Sequence, residues 1–362
     1  MKTEIKISNP KFGIREQIAV WKVLKSGKLS FGERGLEFEG NFSKFIGAPH
    51  AIAVSSATSG LHLCLAAHQI KKGDEVLVPG FSFAATANVV ALQGATPIFV
   101  DIDLLTFNID INKIEEKISQ RTRAIVVVHL FGLPANMQQI QTLAKKHGLI
   151  VIEDAAQAHG ASIEGRKVGT FGDAAVFSFY NSKNMSTGEG GMITTSNAEV
   201  ANKLRVLRNQ GMESQYNYVE VGHNARLTDL QSAIGICQLK GLSQSNIKRK
   251  KNANFYNRTL NNVVTQQVPS GHNHVYHQYS IRINSELRKE FMSSLEDSGI
   301  ETRIYYPKPL NEIDIYKSNT YLPVCSKLSR EIVSIPVHSG LTGGQLKRIA
   351  STINQTMKRL SI

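Results

Sequence analysis

Cysteine is scarce. The 362 residues hold three, Cys64, Cys237 and Cys325, odd in number and with no Cys-x-x-Cys. That excludes a disulfide framework and a thiolate zinc site, and the three read as small hydrophobes in a reducing compartment. Long apolar runs are missing too: no segment reaches the roughly 18 unbroken residues that would suggest a membrane span. The opening MKTEIKISNPKFG has no apolar stretch of the secretory type, so a cytoplasmic protein without a membrane partner is expected. His62, His129 and His223 lack metal-ligand spacing, and no metal is expected. The Gly-x-Gly-x-x-Gly and Walker signatures are absent from VSSATSGLHL, where a strand passes into a helix, which weakens nucleoside-triphosphate and NAD readings.

Acidic residues are fewer than basic ones, 29 Asp and Glu against 42 Lys and Arg, leaving a formal net charge of +13. The only dense basic run is NIKRKKNANFYNR, Asn246 to Arg258, read as a solvated stretch following a helix. It has neither helix-turn-helix context nor interleaved aromatics, so nucleic acid is not the expected partner. The surplus supports a mild preference for anionic ligands.

What is present is a βαβα rhythm. AIAVSS, EVLVPG, TPIFVDID, AIVVVHLFG and IVIEDAA are strand candidates, and TSGLHLCLAAHQI, AATANVVALQ, INKIEEKIS and MQQIQTLAKKHG between them carry helical patterns. This predicts a mostly parallel sheet with helices on both faces and ligands at the carboxyl ends of its strands. Two helices follow, AEVANKLRVLRNQG and LTDLQSAIGICQLKGL, the second opened by Thr228 or Asp229. Beyond the basic run, YHQYSIRIN, LRKEFMSSLEDSGI, ETRIYYP and GQLKRIASTINQTMKRL read as a smaller α+β unit.

FSFYNSKNMSTGEGGMITT, Phe177 to Thr195, sets one lysine and three glycines between two strand-like runs. A lysine there either snorkels to water or sits desolvated, where its amine is driven toward the neutral, nucleophilic form that attacks carbonyls. IVIEDAAQAHG ends a strand with Glu153 and Asp154, followed by Gln157 and His159; His159 reads as structural. A buried strand-end carboxylate needs a cationic or hydrogen-bonding partner. VSSATSG exposes backbone N–H groups at a helix start, a phosphate cup. Lysine, aspartate, cup and the aromatic segment PGFSF together match the needs of pyridoxal phosphate: an amine for its aldehyde, a partner for its ring nitrogen, a phosphate site and a flat neighbour.

Through HAIAVSSATSGLHL, GDEVLVPGFSFAATANVV, IEDAAQAHGA, GHNARLTDLQSAIG and above all S-F-x-x-x-K-x-x-x-x-G-E-G-G at Ser178 to Gly191, the chain resembles the DegT/DnrJ/StrS sugar aminotransferases, within the fold-type-I pyridoxal phosphate enzymes. The resemblance runs from about Gly35 to the C-terminus. It implies an aspartate-aminotransferase-like α/β fold: a large domain over residues 1–248, with an N-terminal arm and a mostly parallel seven-stranded sheet sandwiched by helices, and a small α+β domain over 249–362.

It further implies that Lys183 is the catalytic lysine, carrying the cofactor as a Schiff base and then moving protons. Asp154 would face the pyridine nitrogen, Gln157 the ring oxygen, and Phe83 the ring face. Thr58, Ser59 and Ser178 would hold the phosphate, and Asn224 would reach it from a second subunit of a homodimer with shared active sites. Tyr180, Arg226, Tyr305 and Tyr306 would lie on the substrate side. The implied activity moves an amino group from an amino acid, glutamate in the family, to a nucleotide-linked ketosugar. Three departures from the family's usual wording border the phosphate turn or the substrate: Ala57, Tyr180 with Asn181, and Asn311. The family's dehydratase branch carries histidine in place of the lysine, which Lys183 argues against. Another pyridoxal enzyme, a lyase for example, and a ligand-sensing regulator or nucleic-acid-binding protein are the alternative readings.

Overall fold

The computed structural model describes residues 4–316 and 318–360. Seven strands form the central sheet: β1 (His50–Val54), β2 (Glu75–Pro79), β3 (Thr96–Val100), β4 (Thr122–Val128), β5 (Ile150–Asp154), β6 (Ala174–Ser178) and β7 (Gly191–Thr195). Their spatial order is β1-β7-β6-β5-β4-β2-β3. The pairs from β6 through β5, β4 and β2 to β3 are parallel, and only β7 runs against its neighbours β1 and β6. The β-branched runs expected as strands are all present. β2, β6 and β7 are buried along their full length, as a sheet covered on both faces requires.

Helices α1 (Ile14–Ser26) and α2 (Glu33–Ile46) precede the sheet, and α3 (Ala57–Ala67), α4 (Ala85–Leu92), α5 (Met137–His147) and α6 (Ala198–Arg208) connect or cover its strands. α3 is capped by Ser56, whose hydroxyl accepts from the Ser59 N–H. It lies tight against the sheet at Gly60, where a Cβ would come within 2.8 Å of Val176 Cγ1. INKIEEKIS departs from expectation: it forms two short 3-10 turns, Ile111–Lys113 and Glu115–Lys117. Ile111 and Ile118 face the core and Ile114 is fully buried, so the apolar spacing serves packing without a full helix.

α7 (Asp229–Thr259) is a single helix of 31 residues, opened by a Thr228 capping box with Gln231. The basic run is therefore its continuation rather than a stretch after it, and Arg249 within that run is buried. α7 packs along α1 and α2, and its distal Ala253 and Tyr256 enter a second core with Phe291, Ile281, Val333, Ile335 and Ile353. That core belongs to a three-stranded antiparallel sheet of β8 (Val264–Thr265), β9 (Tyr279–Arg282) and β10 (Ile332–Ile335), with α8 (Arg288–Asp297) and α10 (Gly343–Leu360), while α9 (Pro323–Glu331) between them turns Cys325 and Leu328 into the main core. Ile5 also lies in it, its N–H donating to Gly299 O at 2.8 Å, so the N-terminal arm is tied to the small unit. Positions 248 and 249, expected to divide two domains, fall inside α7. No helix among the described residues is long and apolar enough to cross a membrane.

Candidate active site

The expected residues meet at the carboxyl edge of the sheet. Asp154 is the last residue of β5 and Ser178 the last of β6, and parallel neighbours in register bring both to one edge. Asp154 is buried; Oδ2 accepts from the Thr86 hydroxyl at 3.1 Å and Oδ1 from the Ala156 N–H at 3.2 Å. Burial pushes its pKa above the usual range, opposed by the Ala156 N–H, the charge of Lys183 and the Thr86 hydroxyl. Lys183 follows β6 by five residues. Desolvation pulls its amine down to about 8, with the charge of Asp154 acting the other way. The structure thus favours the enclosed, partly neutral lysine over the snorkelling one.

Gln157 is fixed at both ends of its amide. Oε1 accepts from the Phe131 N–H at 2.8 Å, and Nε2 donates to the Tyr306 hydroxyl at 3.1 Å. Tyr306 stands 6.2 Å from Phe83 between ring centroids and 6.1 Å from Tyr305. Phe83 is 58% exposed, which leaves it free for a ring to stack against and excludes a core role. Tyr180 is likewise half exposed and lies near enough for its charge to act on Tyr305.

The cup forms at the start of α3. Ser59 bonds through its N–H and its hydroxyl to Ser56 Oγ, at 3.0 and 2.9 Å, and its hydroxyl is 3.2 Å from Ser55 Oγ. Thr58 lies in the same first turn, half-buried. Ser178 is joined to the cup through its partner across the sheet, Gly191: a Cβ there would lie 2.7 Å from the Ser56 carbonyl carbon, so only glycine lets β7 approach the turn.

The side chains of Asn224 and Arg226 make no hydrogen bond to this set among the described residues. Their segment runs beside the end of β1, the Ser55 N–H donating to Ala225 O at 2.8 Å. Arg226 bonds the Asn209 side chain, while Asn224 is exposed and its side chain has no hydrogen bond among the described residues.

Sequence reasoning missed Thr86, Ser82 and Ser56. Thr86 is fully buried and bridges Asp154 to the Ser82 hydroxyl, 2.9 Å away. The signal was a threonine one turn after the serine of PGFSF, hidden among small helix-forming residues. Glu153 is a second unforeseen anchor. It accepts from the Gly169, Phe171 and Gly172 N–H groups, each at 2.8 Å, and meets His129 Nε2 at 2.9 Å. The Ala135 N–H donates to His129 Nδ1, which places the histidine proton on Nε2, facing Glu153. Desolvation would raise the Glu153 pKa, but the His129 bond and the backbone donors outweigh it and hold the carboxyl below its usual range. His159 is packed 5.5 and 5.9 Å from the rings of Phe177 and Phe179 and kept neutral by burial, as its structural reading anticipates.

Residues 11–354 match the DegT/DnrJ/EryC1/StrS aminotransferase family. The chain belongs to this family. It is 40% identical over 351 residues to UDP-N-acetyl-3-dehydro-alpha-D-glucosamine 3-aminotransferase of Acidithiobacillus ferrooxidans, covering 95% of each protein. With GDP-perosamine synthase of Caulobacter vibrioides it shares 38% identity over 338 residues, 91% of each. Its fold superposes on the Streptococcus pneumoniae protein Spr1654 in its PLP-form with a TM-score of 0.94 at 25% identity, covering 99% of both chains. Aminotransferases of the family depend on pyridoxal phosphate.

Proposed function

We propose that this chain moves an amino group from an amino acid, glutamate, to the keto carbon of a nucleotide-linked sugar, with pyridoxal phosphate bound at the carboxyl edge of the sheet. The observation that carries the reading is the placement of half-buried Lys183 after β6 and buried Asp154 at the end of neighbouring β5, close enough for each charge to act on the other. The residues fit the cofactor: among the described residues the buried carboxylate of Asp154 receives only two hydrogen bonds and has no directly bonded cation, which a protonated ring nitrogen would supply.

When bound, the cofactor supplies an electrophilic aldehyde and a ring that takes up electrons. The remaining work falls to the chain. Lys183, with its amine near 8, holds a neutral fraction around neutral pH, so Nζ can take a proton from the reacting carbon side and return it. Asp154, aimed by Thr86 and Ala156, would face the ring nitrogen and hold its proton by charge. Gln157 is held by Phe131 so that Nε2, already donating to Tyr306, has a second N–H to offer the ring oxygen. Ser59, Thr58 and Ser178 with the first N–H groups of α3 take the phosphate. Phe83 covers one ring face. Asn224 and Arg226, whose side chains make no bond to the cup of their own chain among the described residues, serve the neighbouring site of a homodimer, and Tyr180, Tyr305 and Tyr306 border the sugar. The relatives named for UDP- and GDP-linked sugars support the substrate class.

The test is a panel of nucleotide ketosugars incubated with the purified protein and glutamate, with mass detection of the aminated sugar. One product gaining an amine, and none with Lys183→Ala, is expected. Wild-type turnover in Lys183→Ala would remove the lysine from the reaction.

A further inference from the structure

Arg249 presents a charge with no counter-ion. It lies in the middle of α7, 6% exposed, and no carboxylate pairs with it among the described residues. Its Nη1 donates to the carbonyls of Tyr276 and His277 at 3.1 and 3.2 Å, while Nε is buried without a partner and no hydrogen bond reaches Nη2. Burial lowers its pKa to about 10, which leaves it cationic at neutral pH. An uncompensated buried cation is costly, and the usual resolution is an anion.

Arg249 lines a cavity of about 210 Å³ between the N-terminal arm, α7 and the segment at His338, and Lys183 and Lys11 line it too. Lys11 Nζ and His338 Nδ1 converge at its rim: a Cβ on Gly340 would lie 3.5 and 3.3 Å from them. Glu16 is the one carboxylate in the lining, and its oxygens already accept from Gln238 Nε2 at 2.7 Å and the Gly13 N–H at 2.8 Å. Burial, then the neighbouring Arg249, pulls His338 down to about 4, so it adds no charge at neutral pH. Even with Lys183 committed to the cofactor, Arg249 and Lys11 against one occupied carboxylate leave the cavity positive.

We propose that this cavity is a binding site for a small carboxylate, held by Arg249 Nη2, a guanidinium nitrogen left without a hydrogen bond among the described residues, with Lys11 at the rim. Nη2 offers a charged N–H donor to one carboxylate oxygen, and Lys11 Nζ can meet the other. The occupant rests against the flank of Lys183. The site itself does not depend on the transamination reading; only the identification of the carboxylate with the amino donor or its oxo-acid product does.

Glutarate carries two carboxylates but neither amine nor ketone, so its binding cannot report turnover. Calorimetric titration of the holoenzyme with glutarate, acetate, phosphate and chloride is compared between wild type, Arg249→Met and Gly241→Leu. Gly241 lines the same cavity, and a Cβ there meets nothing within 4 Å, so leucine obstructs the mouth in a helix that it favours more than glycine. Glutarate is expected to bind once per chain, at least tenfold more weakly in Arg249→Met and not measurably in Gly241→Leu. Should Arg249→Met fail to fold, Gly241→Leu decides alone. No glutarate binding to wild type overturns the proposal. Unchanged binding in Gly241→Leu places the carboxylate elsewhere and overturns it as well, and tighter binding of phosphate or chloride than of either carboxylate refutes the carboxylate assignment.

Discussion

Replacing Lys183 with methionine should stabilise the cofactor-free protein while abolishing its activity. A free lysine titrates near 10.4, and burial beside Asp154 brings Lys183 to about 8. Below pH 8 the amine is protonated in both folded and unfolded states, so the full penalty of enclosing the charge is present. At about 1.36 kcal/mol per pH unit, the difference is roughly 3 kcal/mol. Between about pH 8 and 10.4 the unfolded chain binds a proton that the folded one has released, so wild-type stability rises with pH and the penalty fades. Methionine has similar length and no charge. Urea unfolding of both proteins without cofactor, at intervals from pH 6.5 to 10, should show the variant ahead by about 3 kcal/mol at the acid end and level with wild type at the alkaline end. A difference that does not change with pH, or a variant less stable throughout, would refute the enclosure of a charged amine at this position.

Asp154→Asn should keep the cofactor but lose on the order of 10²-fold or more in rate, because a neutral amide does not hold the ring proton by charge; single-turnover rates and the cofactor's absorbance check both halves. Glu153→Gln turns an amide nitrogen toward backbone donors that the carboxylate now accepts from, and should cost about 3 kcal/mol in urea unfolding; a loss under about 1 kcal/mol would mean that the turn at 169–172 is held by other contacts. For the shared site, inactive Lys183→Ala and inactive Asn224→Ala subunits, mixed under conditions where exchange is demonstrated, should regain activity, since one composite site per mixed dimer receives both native residues. Mixed dimers no more active than their parents would assign Asn224 to its own subunit or to no site.

The strands were legible because a sheet buried on both faces writes itself as unbroken β-branched runs, and the residues that close such strands, Asp154 and Ser178, came with them. Lys183 stood out in its Gly-rich stretch, but its role and that of Gln157 were legible only through the resemblance to the family. Thr86 was not, because a threonine in a helical stretch announces nothing until β5 and α4 lie side by side. The same holds for Glu153: its partners at 129, 169, 171 and 172 are neighbours only in space. The basic run was misplaced because Lys248, Lys250 and Lys251 are solvated, as their composition suggests, while Arg249 points inward between them. Periodicity over a few residues does not separate a helix that ends from one that changes company.

That change of company along α7 bears on how the protein can be divided. At about 1.5 Å per residue the helix is roughly 46 Å long, one rigid beam whose first half is cladding for the sheet and whose second half is a wall of the small unit. A hinge at residues 248 and 249 would have to break the beam itself. Gene fragments cut there would each carry half a helix with a bare apolar side, Leu239 and Leu242 on one piece, Ala253 and Tyr256 on the other. The two units are therefore expected to melt together, in a single calorimetric transition.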